Sequence, residues 1–148
     1  MNQPTNFPIV PIKDVPAPES SADTSAYRPM VLVVDNEPDV ADTLSEILTE
    51  RGYAAVTAYD GEDALETALL IPPELVIADI KLPGMSGIEL ATALKGKFPD
   101  CKILLFEPFA SPDPLALAEV DRQELELLNK PVHPTDLLAR VAASLKPR

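Results

Sequence analysis

The stretch Ile77-Ala78-Asp79-Ile80-Lys81-Leu82-Pro83-Gly84-Met85-Ser86-Gly87 decides how the rest of the chain is read. It grows out of Leu75-Val76-Ile77-Ala78, a short continuous apolar run of the kind that suits a strand covered on both faces. An aspartate closes that run. A loop with proline and glycine follows, and Ser86-Gly87-Ile88-Glu89 then carries the serine-to-glutamate spacing of a capping box that opens a helix. The reading is one strand–loop–helix unit with a carboxylate at the carboxyl end of its strand.

The same unit recurs on both sides. Upstream, Val31-Leu32-Val33-Val34 is another apolar run rich in β-branched residues and ends in Asp35-Asn36-Glu37. Pro38 stands where a first helical turn tolerates proline, Val40, Leu44, Ile47 and Leu48 follow at helical spacing, and Gly52 stops the helix. A second strand is expected over 53–58. Asp60 is placed to cap a helix with apolar face Ala64, Leu65, Ala68 and Leu69, which Pro72-Pro73 ends. Downstream, strands are expected over 102–106 and 125–128. A short helix from Asp113-Pro114 through about Val120 separates them, and a last helix opens at Pro134 with Leu137, Leu138, Val141 and Leu145. Five strands alternating with five helices predict an α/β fold, a doubly wound parallel sheet with right-handed crossovers. Periodicity alone leaves several such folds open, flavodoxin-like binding proteins among them.

Composition bounds the function. A length of 148 residues with 46% apolar content suits one domain with a real core. The net charge of −12 and a pI near 4.3 argue against nucleic acid, whose phosphates select basic surfaces, and against anionic membrane surfaces. The single cysteine, Cys101, rules out an intramolecular disulfide, fits a reducing cytosol, and reads as a small buried hydrophobe. No signal peptide and no apolar run of about 20 residues is present, so a soluble, cytoplasmic protein is expected. Residues 1–29 hold six of the 17 prolines and a polar stretch from Glu19 to Ser25. They are expected to form a disordered or extended tail ahead of a domain over 30–146. Phe7, Ile9, Val10 and Ile12 in that tail read either as solvated or as a short docking motif.

In a doubly wound sheet, sites form beyond the carboxyl ends of the strands. There the first strand delivers Asp35-Asn36-Glu37, the third Asp79, the fourth Glu107 and the fifth Lys130-Pro131. Oxygen ligands in one crevice suggest Mg²⁺. An aspartate beside such a cation is able to attack a phosphoryl group and become an acyl phosphate, and a lysine then stabilises the added charge.

At these residues the chain resembles a known family. Val31-Leu32-Val33-Val34-Asp35-Asn36-Glu37-Pro38 resembles the opening of response-regulator receivers, residues 77–87 match their phosphorylation loop, and Asn129-Lys130-Pro131-Val132 matches their final signature. Order and spacing agree across 30–146. The resemblance implies a flavodoxin-like sheet with strand order 2-1-3-4-5. It implies phosphotransfer to Asp79 from a sensor histidine kinase or phosphotransfer protein. By matching position Asp35 belongs to the acidic metal pocket, Asp79 is phosphoacceptor and metal ligand, the Lys81 carbonyl is a further ligand of Mg²⁺, and Lys130 binds the phosphoryl group. The Lys130-Pro131 bond is typically cis in this family. With no residues after Arg148, the expectation is a stand-alone receiver acting through a downstream protein or a homodimer. The surface of the last two helices and fifth strand commonly serves for this, here with Leu115, Leu117, Val120 and Leu125.

Three positions depart from the pattern. Asn36 stands where a second acidic metal ligand is usual, so it ligates through a neutral oxygen and Mg²⁺ affinity should fall. Glu107, followed by Pro108, stands where the fourth strand usually ends in Ser or Thr. An ionised carboxylate donates no hydrogen bond and repels a phosphoryl oxygen by roughly 1–4 kcal/mol at about 4 Å. A one-residue slip would put Phe106 there, and Ser111 is the nearest hydroxyl. Leu127 replaces the Tyr or Phe often used as a rotating switch. One carboxylate lost at Asn36 and one gained at Glu107 leave the pocket charge unchanged, which raises the reading that Glu107 helps hold the metal or pairs with Lys130. A phosphorylation-independent pseudo-receiver is the alternative. An enzyme with an aspartyl-phosphate intermediate is disfavoured, because the second acid such enzymes place two residues after the nucleophile is Lys81 here. His133, beside Pro134, reads as a surface residue at a helix start.

Overall fold

The computed structural model describes residues 27–107, 114–129 and 132–146. Most of the expected tail lies outside the described residues, as do Pro108, Ser111, Asp113, Lys130 and Pro131. The elements in order are β1 (Met30–Val34), α1 (Pro38–Glu50), β2 (Ala54–Ala58), α2 (Gly61–Leu70), β3 (Leu75–Asp79), α3 (Gly87–Lys97), β4 (Lys102–Glu107), α4 (Pro114–Arg122), β5 (Glu126–Asn129) and α5 (Pro134–Leu145). All strand pairs are parallel and the sheet order is β2-β1-β3-β4-β5. The expected fold class and strand order are both present.

The helix boundaries follow from local chemistry. Pro38 occupies the first turn of α1, where a missing N–H costs nothing. Gly52 ends α1 with φ +97°, a left-handed conformation, and the Tyr53 N–H returns to the Leu48 carbonyl at 3.1 Å. The Asp60 carboxylate accepts the Asp63 N–H at 2.7 Å at the start of α2. Both halves of the Ser86/Glu89 capping box are formed at α3. At α5 the N-cap is His133, exposed as expected, whose Nδ1 accepts the Thr135 N–H at 3.2 Å.

Alternation along the strands divides the core into two layers. Leu32, Val34, Val76, Ala78, Ile103 and Leu105 pack with α2, α3 and Val120 of α4. Val31, Val33, Leu75, Ile77, Leu104 and Phe106 pack with Leu48 of α1 and with Leu137 and Val141 of α5. β1 lies inside the sheet and is buried along its whole length, which is why its sequence is continuously apolar, whereas the edge strands β2 and β5 are only part-buried. Each fully buried leucine contributes about 1.5–3 kcal/mol over an exposed one. Cys101 joins this core as expected, and burial pushes its thiol up to about 11 against a smaller opposing effect of Lys95.

Several expected boundaries shift. β2 begins at Ala54, β4 runs one residue further to Glu107, and β5 covers Glu126–Asn129 rather than 125–128. α4 continues past Val120 to Arg122. Leu125 lies outside β5 because its N–H closes the end of α4 on the Val120 carbonyl at 2.9 Å. The suggested interaction surface changes accordingly: Val120 and Leu125 are core residues, Leu117 is half-buried, and Leu115 alone of the four is fully exposed. Among the described residues no helix is long and apolar enough to cross a membrane.

Candidate functional site

The apolar runs of β1 and β3 end together. Val34 pairs with Ala78, so Asp35 and Asp79 each stand one residue beyond the last pair on adjacent strands, whose axes lie about 4.8 Å apart. Side chains alternate along a strand, so both carboxylates continue the face that packs on α1 and α5. Asp35 is 1% exposed and is the only buried charged side chain among the described residues. Its backbone N–H donates to the Ala58 carbonyl at 3.1 Å, and its Oδ1 accepts the Glu37 N–H at 2.9 Å, which turns the chain into α1. Asp79 is half-buried, reachable from solvent at the edge of the sheet. Asn36, Glu37 and Lys81 are exposed around it.

The loop after Asp79 is closed by backbone contacts. The Ile80 N–H donates to the Phe106 carbonyl at 3.2 Å, and the Gly87 N–H donates back to the Ile80 carbonyl at 2.7 Å. A Cβ on Gly87 would sit 2.0 Å from the Asp79 carbonyl oxygen, so only glycine allows α3 to start against the backbone of Asp79. At Gly61, the first residue of α2, a Cβ would lie 2.9 Å from the Met85 Cβ. Gly87 thus brings the two ends of the loop together, and Gly61 lets α2 approach the loop at Met85. The sequence reading saw Gly87 as part of a capping box and missed this second use; its signal was a glycine at the first helical position, where the helix itself requires none.

β4 removes the ambiguity over the slip. Phe106 pairs with Asp79 and is buried at 2% exposure in the core, while Glu107 pairs with Asn129 and is half-exposed at the strand end. β4 therefore delivers a carboxylate and no hydroxyl. By alternation Glu107 continues the face of Ile103 and Leu105, opposite in phase to Asp79. Among the described residues no three His, Cys, Asp or Glu side chains come together as a cation cluster, which gives no support to Glu107 as a third metal carboxylate. The metal-binding donors at this strand edge are still oxygen atoms: the carboxylates of Asp35 and Asp79 on adjacent strands and, one residue after Asp35, the exposed Asn36 amide. That donor chemistry fits a hard cation such as Mg²⁺, with water completing the coordination. Lys130 follows Asn129 at the end of β5 and lies outside the described residues, as does Ser111. Leu127 is half-buried against the core, and its carbonyl accepts the Arg140 guanidinium at 3.3 Å.

Comparison with known proteins places this arrangement. A family profile described as the response regulator receiver domain matches residues 31–142. The chain is similar to the transcriptional regulatory protein KdpE of Mycobacterium tuberculosis, 36% identical over 117 residues, covering 79% of this chain and 51% of that protein. It thus spans about half the length of the curated relatives it matches. Among solved structures it resembles a CheY-like response regulator receiver domain protein from Methanospirillum hungatei JF-1, with a TM-score of 0.75, 27% identity, and coverage of 80% of this chain and 94% of that one. It also resembles the chemotaxis protein CheY4 of Vibrio cholerae, with a TM-score of 0.73, 27% identity, and coverage of 80% and 100%.

Proposed function

The chain belongs to the response regulator receiver domain family of two-component systems, and from that premise we propose that it accepts a phosphoryl group on Asp79 and signals through protein contacts. The observation that carries the proposal is the setting of Asp79: half-exposed beside the buried Asp35, at the head of a loop locked by Gly87. A carboxylate oxygen of Asp79 attacks phosphorus in a phosphohistidine of a sensor kinase or phosphotransfer protein. The new O–P bond forms as the N–P bond breaks, and the imidazole leaves with the bonding electrons. The closed loop holds Asp79 at the strand end while this happens, which lowers the orientational cost of the transfer. Asp35, Asp79, the Asn36 amide and the Lys81 carbonyl would hold Mg²⁺, which supplies charge neutralisation at the phosphoryl oxygens when bound. Lys130 would provide a point charge from β5.

Signalling from such a domain passes to a downstream protein or to a second copy, with Leu115 as the large exposed apolar side chain of α4. A second reading, a phosphorylation-independent pseudo-receiver, is favoured by Glu107 at the end of β4 and by the uncharged Asn36. One experiment separates the two. Wild type and Asp79→Asn are incubated with acetyl phosphate and Mg²⁺ and weighed intact. One added phosphoryl mass on wild type and none on Asp79→Asn is the expected result. No adduct on either, together with no binding of beryllofluoride, assigns the chain to the second reading.

A further inference from the structure

The base of the sheet, opposite Asp79, carries a feature that phosphotransfer does not use. Leu69, Leu70 and Ile71 are 53%, 82% and 48% exposed and follow one another directly at the end of α2. Three consecutive large apolar side chains in solvent are unusual on a lone domain and mark a contact surface. Their backbone is fixed: the Ile71 N–H closes the helix on the Thr67 carbonyl at 2.8 Å, and Pro72-Pro73 prevents continuation.

The root of the first 26 residues lies beside this ridge. The Tyr27 hydroxyl donates to the Glu74 carboxylate. The Pro29 carbonyl accepts the Ala54 N–H at 2.8 Å, and the Met30 carbonyl accepts the Glu74 N–H at 2.9 Å. Glu74 is three residues past Ile71, at most about 10 Å along the chain. The preceding segment holds one apolar cluster, Phe7-Pro8-Ile9-Val10-Pro11-Ile12, with no charge in it. About fifteen residues separate Ile12 from Tyr27, and a random-coil chain of that length averages roughly 20 Å end to end. Pro8 and Pro11 lack backbone donors, so the cluster is poorly suited to extending the open edge at β2, but its side chains remain available to an apolar surface.

We propose that Phe7–Ile12 docks on the ridge Leu69-Leu70-Ile71 of its own chain, tying the N-terminal segment across the base of the domain. The proposal is independent of whether Asp79 is phosphorylated. The test is hydrogen exchange by mass spectrometry on the full chain, in wild type, Leu70→Asp and Phe7→Asp, at two protein concentrations about tenfold apart. Leu70 is 82% exposed, so Leu70→Asp leaves the core intact, and unchanged thermal midpoints check both variants. Docking predicts that the amides of Phe7, Ile9, Val10 and Ile12 exchange about tenfold more slowly in wild type than in either variant, equally at both concentrations. Exchange at the rate of an unstructured peptide in wild type overturns the proposal. So does protection that survives Leu70→Asp, which places the cluster elsewhere. Protection seen only at the higher concentration, with a doubled mass by light scattering, assigns the ridge to a second copy and equally overturns it.

Discussion

At the carboxyl edge of the sheet β3 and β4 run side by side, with Asp79 in register with Phe106, yet the two strand ends are finished by different physics. The end of β3 is set by backbone: Ile80 bonds Phe106, Gly87 bonds Ile80, and α3 starts where no side chain fits against Asp79. β4 instead ends on the half-exposed Glu107, which is in register with Asn129 of the edge strand β5. The difference teaches that the fold fixes the setting of Asp79 far more tightly than it fixes which side chain finishes the neighbouring strand. A receiver is therefore able to change its chemistry at β4 while keeping its geometry at β3.

The contrast is broken most severely at Gly87. Gly87→Ala forces a methyl group into the Asp79 carbonyl and is expected to cost about 3 kcal/mol, read as a fall of about 10 °C in Tm with loss of acetyl-phosphate labelling. Glu107→Thr attacks the other strand end. Removing a negative charge one strand away from Asp79 should raise the labelling rate about threefold with little change in Tm, a modest effect because Glu107 continues the opposite face of the sheet. An unchanged rate would show that the Glu107 charge is screened from the phosphoryl group. Ser86→Ala weakens the capping box behind the loop and should cost about 1 kcal/mol in urea unfolding at constant m.

The smallest effect lies at the opposite end of β4. The folded Cys101 thiol titrates near 11, raised from an ordinary value of 9.0. The folded state keeps a proton that the unfolded state loses. Its contribution to stability is therefore complete below pH 9.0 and disappears as pH rises through about 11. Urea midpoints across this range should fall more for wild type than for Cys101→Ala, and thiol reagents should react slowly with the native protein at pH 8.

Particular residues show how far local pattern reaches. Pro38, Gly52, Asp60 and the Ser86/Glu89 pair act at the helix ends where their chemistry places them, because capping is decided within a few residues of chain. Asp35 and Asp79 share an edge because each closes an apolar run, and the register of β1 and β3 aligns those runs. The reading placed Glu107 correctly at the end of the fourth strand but ended that strand one residue early, and it fell short at Val120 and Leu125, which enter the core instead of lining a surface. Those outcomes depend on packing between elements distant in sequence.

By itself the sequence determined the alternation of strands and helices, the family resemblance and the acids at the strand ends. Periods of two and 3.6 residues and the chemistry of caps are local properties of the chain. Only the tertiary structure decided that Phe106 points into the core and leaves Glu107 at the strand end, that Gly87 is required by contact with Asp79, and that Leu69, Leu70 and Ile71 stay in solvent. Each of these is a matter of register or close approach between segments, and such distances are set by how whole elements pack.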